Sequence, residues 1–354
     1  MKLMWFHLMP YTELPEDFKT KHPSVWVDIH SSLFDPKRAH LMYNDFMDEL
    51  EYAADLGYDA ICVNEHHSNG YGLMPSPNLI ASSLARRTSD ATICVMGNSI
   101  ALYNPPTRVA EEFAMLDVIS GGRTRLAVCS GGGAGPAWRA EAEAMGVPAA
   151  ERRKRMIENI AVLRHLWTRD GEPFAGEFTR FSGVTLLPKP AQSPCPIWLT
   201  TNAGRLGNGQ ADAGGSPFAL RRVGLVADGW MTHSVSPDGF RASLDLILES
   251  GHATGRDMGG FDNVLCALVN INPDREAALA DAKRYLDLYY GATYTRARLE
   301  AWGAFGSPAE CAAWIRRYVG SGCARITFRL ATMGDAAAQF RLLTQAVLPV
   351  AFVR

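Results

Sequence analysis

No run of apolar residues in this chain approaches the ~20 needed to cross a bilayer as a helix, which excludes a membrane-spanning helix. Neither charge is in excess. Lys and Arg number 35 against 37 Asp and Glu, for a net charge of −2 and a pI near 6.5. No basic stripe argues for nucleic acid, and no charge block reads as a solvated tail. The seven cysteines include no Cys-x-x-Cys pair and no regular spacing, so neither a disulfide framework nor a thiolate metal site is indicated. Cys62, Cys94, Cys129 and Cys266 fall inside strand-like runs and read as buried thiols of a reducing compartment. Nothing at Met1-Lys2 resembles a secretory leader, and a cytoplasmic protein is expected. His-x-His and His-Glu-x-x-His are both absent, which argues against a metal hydrolase. The glycine run Gly131-Gly132-Gly133 does not form the GxGxxG fingerprint, so no nucleotide fold for NAD(P)H is expected. There is no internal repeat and no low-complexity tract.

What is present is an alternation of short apolar runs with amphipathic helical patterns. Strands are expected at Leu3–Leu8, Ala60–Asn64, Ile93–Gly97, Thr124–Cys129, Ile197–Thr201, Gly229–Thr232, Val264–Asn270 and Arg325–Leu330. Their near-continuous apolar character suits strands buried on both faces of a parallel sheet. Between them lie helical stripes, such as Tyr43, Phe46, Met47, Leu50, Ala53 and Ala54, ending at Gly57. Ser76-Pro77, Ser236-Pro237 and Ser307-Pro308 read as helix starts, with serine as cap and proline in the first turn. Glu310 adds a capping box to Ser307. Eight strands alternating with helices favour a closed (β/α)8 barrel over a doubly wound sheet, as one domain over residues 1–354. Two long segments, Pro10 to Lys37 and Ala203 to Gly215, follow strand ends and would extend the C-terminal face. The second reads as a mobile lid.

The densest chemistry lies in Asn64-Glu65-His66-His67-Ser68-Asn69-Gly70-Tyr71-Gly72, where an expected strand ends in an acid, two imidazoles and a glycine-rich loop. Groups that exchange protons near neutrality sit there at the active face of a parallel α/β protein. Neighbouring residues on a strand face opposite ways, so His66 and His67 should not share a direction.

That stretch resembles the bacterial luciferase-like flavin monooxygenases, which carry a Glu-His-His and a glycine loop after the second strand. The resemblance continues in order through Pro105-Pro106-Thr107-Arg108, Ile119-Ser120-Gly121-Gly122-Arg123, Leu187-Pro188-Lys189-Pro190, Pro196-Ile197-Trp198-Leu199-Thr200-Thr201 and Ala227-Asp228-Gly229-Trp230. It implies a (β/α)8 TIM barrel, FMN used as FMNH2, oxygen, a small organic substrate and a separate NAD(P)H–flavin reductase, in a homo-oligomer such as a homodimer. The runner-up reading is a deazaflavin-dependent oxidoreductase on the same barrel, and a flavin-binding protein without turnover stands as a third. By resemblance His66 is the catalytic base or proton donor, a task suited to a near-neutral pKa. The other imidazole, His67, would pack or hydrogen-bond. Cofactor contacts are expected from Asn98 and Ser99, where family members often bend through a non-proline cis peptide. Others are expected from Cys129, Ser130, Gly131 and Gly132, and from Thr201, Asn202 and Ser216. Cys129 and Ser130 stand where some members place an arginine for the flavin phosphate, so phosphate binding should fall to amides and hydroxyls. His7, Glu65, Trp230 and His233 are candidates for the substrate pocket. Glu111, Asp117 and Arg123 look like a structural network. The basic run Arg152-Arg153-Lys154-Arg155 reads mainly as a solvated helix face and otherwise as a flank of the flavin site.

Overall fold

A computed structural model describes residues 1–131, 136–202 and 217–352. Eight strands form the barrel: β1 (Lys2–His7), β2 (Ala60–Val63), β3 (Thr92–Asn98), β4 (Thr124–Val128), β5 (Ile197–Thr200), β6 (Gly229–Thr232), β7 (Asp262–Ile271) and β8 (Arg325–Leu330). Each pairs in parallel with the next, and β8 pairs with both β7 and β1, which closes the ring. These are the eight strands expected from the sequence, with ends moved by one or two residues. The fold is a (β/α)8 TIM barrel with extended segments at the C-terminal face. A further short strand, Gly303–Gly306, continues the sheet beside the end of β7, and a two-stranded hairpin joins Phe174–Ala175 to Arg180–Phe181.

Strand alternation divides the core in two. Met4, Phe6, Cys62, Cys94, Met96 and Trp198 fill the barrel interior. Trp5, Ile61, Val95, Leu126, Trp230 and Phe328 face outward into the layer beneath the helices. Three helices begin where serine precedes proline: Pro77–Arg87, Pro237–His252 and Pro308–Arg316. Ser236 accepts from the Gly239 amide, and Ser307 with Glu310 forms the full capping box. Ser76 makes no capping bond through its side chain. The helix Pro36–Asp55 stops two residues before Gly57, whose φ of 83° suits only glycine well.

Two regions differ from expectation. The basic run splits: Lys154 is exposed against Glu177, but Arg152 is buried at the start of the helix Arg152–Thr168. Asp117 and Arg123 anchor the turn into β4. Asp117 receives the Thr124 hydroxyl and the Gln192 amide, while Arg123 caps carbonyls of Ala85, Thr88 and Ala91. Glu111 stands outside that network, 4.0 Å from Arg108 on the surface.

The segment after β1 is a packed element and not a loose insertion. Tyr11, Phe18 and Val25 within it are buried. Its backbone meets the glycine loop after β2 through Tyr11 N to Tyr71 O and Gly70 N to Val25 O, both 2.8 Å. The Ala203–Gly215 segment lies outside the described residues. No described helix is long and apolar enough to cross a membrane.

Candidate active site

The site assembles where β2, β3, β4 and β8 end. At the end of β2, residues 64–67 leave the ladder and the three chemical groups separate. Glu65 turns inward and is buried. Its carboxylate accepts from Asn98 Nδ2 at 2.6 Å and pairs with His67 Nε2 at 2.8 Å. The Tyr103 hydroxyl also bonds Glu65. Burial pulls the His67 pKa down, but the Glu65 hydrogen bond and charge, aided by Glu141, outweigh it and the net shift is upward. His67 is thus a carboxylate-held imidazole.

His66 takes the other direction. Its Nδ1 lies 2.8 Å from the Tyr289 hydroxyl, and its ring meets Trp26 edge-on at 5.5 Å and Tyr290 at 6.2 Å. Burial first, then the positive charges of Arg329 and His67, lower its pKa to about 3. The near-neutral pKa expected of His66 is therefore not what its surroundings produce. It is a neutral imidazole at physiological pH, and the upward-shifted partner is His67.

The bend after β3 is made by a bulge and not by a cis peptide. Pairing with β4 slips between Met96 and Asn98, with Gly97 at φ 90°. Cis bonds among the described residues all precede proline. The bend delivers Asn98 and Ser99, both buried, to the barrel mouth beside the end of β4. Asn98 Oδ1 has no hydrogen-bond partner among the described residues. Cys129 donates to Gly97 O at 3.3 Å, and burial pushes its thiol up to about 11, so it stays protonated and unreactive.

A cation does reach the end of β4, from an unexpected direction. Gly131 has φ 60°, and a Cβ there would sit 3.4 Å from Ser99 Oγ and 3.5 Å from Arg152 Nη1. Arg152 donates through Nη2 to Trp138 O at 3.0 Å. Its Nη1 stands 3.1 Å from Glu141 without hydrogen-bond alignment, and Nε also lacks a hydrogen-bond partner among the described residues. Gly131, Ser99 and Arg152 thus form a cradle with an under-satisfied buried guanidinium, suited to an oxyanion such as a flavin phosphate. Thr201 and Asn202 sit half-buried at the adjoining β5 end. Thr201 is held through its backbone, by the Met231 carbonyl and by Trp230 Nε1 at 2.8 Å. Ser130 is half-buried at the rim, while Gly132 and Ser216 lie outside the described residues.

Two expected pocket residues point elsewhere. His7 alternates outward with Trp5. It stacks on Phe46 at 4.4 Å, lies 3.4 Å from Glu49 and accepts from the Met9 amide, all in the helix-facing layer or the strand's own turn. Trp230 likewise faces out, packed on Phe240 at 5.0 Å. Period-two alternation decides both, one residue out of phase with the interior. His233 does face the mouth. It stacks on Trp302 at 4.4 Å, and burial followed by Arg329 and Arg298 lowers its pKa to about 3. A cleft of about 520 Å³ flanks this mouth, lined by Trp26, Ile29, His67, Asn69, Trp138 and Glu141 among others. Among the described residues, no group of three or more His, Cys, Asp or Glu is placed to hold a metal ion.

A closed parallel barrel, a Glu-His-His after its second strand and a glycine-lined cradle after its fourth now stand together. Residues 29–325 match the luciferase-like monooxygenase family. The chain belongs to that family. The oxygenase component of a flavin-dependent trigonelline monooxygenase from Acinetobacter baylyi is 32% identical over 161 residues, 45% of this chain and 43% of that protein. An FMNH(2)-dependent dimethylsulfone monooxygenase from Pseudomonas putida is 31% identical over 181 residues, 50% and 45% of the two chains. The chain therefore spans under half the length of each of these two relatives. An F420-dependent glucose-6-phosphate dehydrogenase from Kineococcus radiotolerans is 24% identical over 319 residues, 83% and 88% of the two chains. Among solved structures, monooxygenase RslO1 from Streptomyces bottropensis superposes with a TM-score of 0.75 over 99% of both chains at 21% identity, a likeness of fold.

Reading the sequence missed Tyr289, Tyr103, Glu141 and Arg329, and named Arg152 only within the basic run, as a second reading. Among the missed residues Arg329 left a local signal, as an arginine inside a strand that otherwise reads as buried on both faces.

Proposed function

We propose that the protein is a monooxygenase that holds FMN at the barrel mouth, receives it reduced from a separate reductase and delivers one oxygen atom to a small organic substrate. The observation that carries this reading is the Gly131–Ser99–Arg152 cradle, a buried and under-satisfied guanidinium where a terminal phosphate would lie. Monooxygenases that use reduced flavin among the relatives support FMN over a deazaflavin. Arg152, Ser99 and the Gly131 backbone would hold the phosphate, with Ser130, Thr201 and Asn202 at the rim. Asn98, through its free Oδ1, would meet a donor on the ring's polar edge.

When bound, the reduced flavin supplies the electrons that activate oxygen. The chain's own residues do the rest. Burial keeps the Tyr289 hydroxyl protonated, so it donates to His66 Nδ1 and leaves the His66 proton on Nε2. The neutral ring then offers an Nε2–H donor to the reacting oxygen without bringing a charge into an apolar wall. Trp26 and Trp138, 5.8 Å apart, shield that side from water. Glu65 holds His67 and Asn98 in place. We infer one barrel domain over the whole chain. The seven free thiols suit a reducing cytoplasm.

Calorimetry with FMN, anaerobic FMNH2 and a reduced deazaflavin tests the cofactor. FMN or FMNH2 should bind, the reduced form more tightly. Absence of binding by both at ~100 μM, a weak affinity, overturns the reading. With FMNH2 bound, His66→Ala should fold normally but lose ~10²–10⁴-fold in product formed per flavin oxidised, the range for an acid or base. His67→Ala should lose stability more than turnover. The reverse outcome assigns the role to His67.

A further inference from the structure

Arg329 stands next to last in β8 and points into the barrel, two residues on from Thr327, whose hydroxyl reaches Cys62 inside. It is 4% exposed. No carboxylate pairs with it among the described residues. Its one hydrogen bond runs from Nη1 to the Tyr290 hydroxyl at 2.9 Å. The guanidinium lies over the Trp302 ring at 4.9 Å and the Tyr290 ring at 5.6 Å, and it lowers the pKa of both His66 and His233. Nε and Nη2 are buried and have no hydrogen-bond partner among the described residues.

Those two nitrogens form the side of the guanidinium whose N–H bonds run parallel, the fork that takes a carboxylate through two bonds at once. A buried cation without a counter-ion is costly, and aromatic faces offset that cost only in part. Among the described residues, the groups around it are phenols, an indole, the protonated Cys266 thiol and neutral imidazoles. The fork is also well placed. It shares the mouth with His66, while the cradle for the cofactor phosphate stands at the ends of β3 and β4.

We propose that Arg329 is the anchor for an anionic substrate, and that the substrate carries a carboxylate or a similar planar oxyanion received by Nε and Nη2. The inference rests on the barrel mouth being the active site. The anion would supply the counter-charge that the described residues lack. Its apolar remainder would lie among Trp302, Tyr290, Tyr294 and Trp26, within reach of His66. A neutral analogue would leave the fork unpaired and be rejected.

The probes are acetate and benzoate against acetamide and benzamide, titrated calorimetrically into the full-length protein with FMN present. At least one carboxylate should bind about 10–100-fold more tightly than its amide, the discrimination expected of a hydrogen bond to a buried charge. Arg329→Met should abolish that preference, and Arg329→Lys should retain part of it. Benzoate should raise the melting temperature of the wild type and not that of Arg329→Met. Without ligand, Arg329→Met should melt no lower than the wild type, because it removes an uncompensated charge. No preference for either carboxylate in the wild type overturns the proposal, as does an unchanged preference in Arg329→Met. If Arg329→Met fails to fold, the arginine is structural and the proposal falls. Flavin fluorescence in the same samples separates the two readings. FMN binding without carboxylate preference sinks the anchor alone, whereas carboxylate preference without FMN binding sinks the cofactor assignment alone.

Discussion

At the scale of single residues, direction and not identity separates the two adjacent imidazoles. His67 gains a carboxylate partner, and its pKa rises. His66 gains burial and a nearby guanidinium, and its pKa falls to about 3. His233 falls to the same level through burial and then Arg329 and Arg298. The sign of the stability effect follows. A histidine with a folded pKa below its ordinary 6.5 is protonated first in the unfolded chain, so its contribution is full above pH 6.5 and is lost as pH falls toward 3. Each such histidine can steepen the acid loss by at most about 1.4 kcal/mol per pH unit. His67 acts oppositely, stabilising below its unfolded value and losing that as pH rises through its folded one. Melting temperatures between pH 7 and pH 5 should therefore fall less steeply for His233→Asn than for the wild type. Equal slopes would mean that His233 is not buried neutral.

At the scale of elements, the β3 bulge and the β4 end do separate work through glycine. Gly97, at φ 90°, has open space where a Cβ would go, so Gly97→Ala meets only backbone strain. Gly131, at φ 60°, would press its Cβ toward Ser99 and Arg152. Both substitutions should cost about 1–2 kcal/mol of stability, the usual penalty for a side chain in that region. Only Gly131→Ala should also weaken FMN binding, by an amount read directly in calorimetry. Equal loss of affinity in both variants would remove the cradle from the cofactor site. The β2 and β1 loops make a second coupled element. Their mutual hydrogen bonds, and the Asn69 side-chain bond to Tyr289 O at 3.1 Å, tie the His66 loop to the helix Arg275–Tyr290.

At the scale of the whole molecule, two neighbouring helices carry exposed apolar side chains. Leu79 on the helix Pro77–Arg87 is 72% exposed, and Met115 and Ile119 on the neighbouring helix Thr107–Ile119 are about half exposed. Grouped apolar side chains of this kind mark an association surface. We propose that the chain forms a homodimer through this face. Leu79→Asp combined with Met115→Asp should convert a dimer to a monomer in sedimentation velocity while FMN binding persists. A wild type that sediments as a monomer, or a double variant that remains a dimer, refutes that face.

The sequence by itself determined the barrel. Strands buried on both faces need continuous apolar runs, and helices need their stripes and caps, so eight strands alternating with helices could be read from local pattern. It also located the β2 loop, because an acid, two imidazoles and glycines at a strand end are a local feature. It did not determine which way each residue faces, since a shift of one position moves a side chain from the interior to the helix layer. His7 and Trp230 fell on the wrong side for that reason. Nor did it join residues far apart in the chain. Arg152 meets Gly131 and Tyr289 meets His66 only because tertiary packing sets helix residues against strand ends, and the Arg329 charge reaches His233 only because barrel closure brings strand ends together. The charge balance of the site, with one guanidinium under-satisfied at the cradle and another at the mouth, exists in the tertiary structure alone.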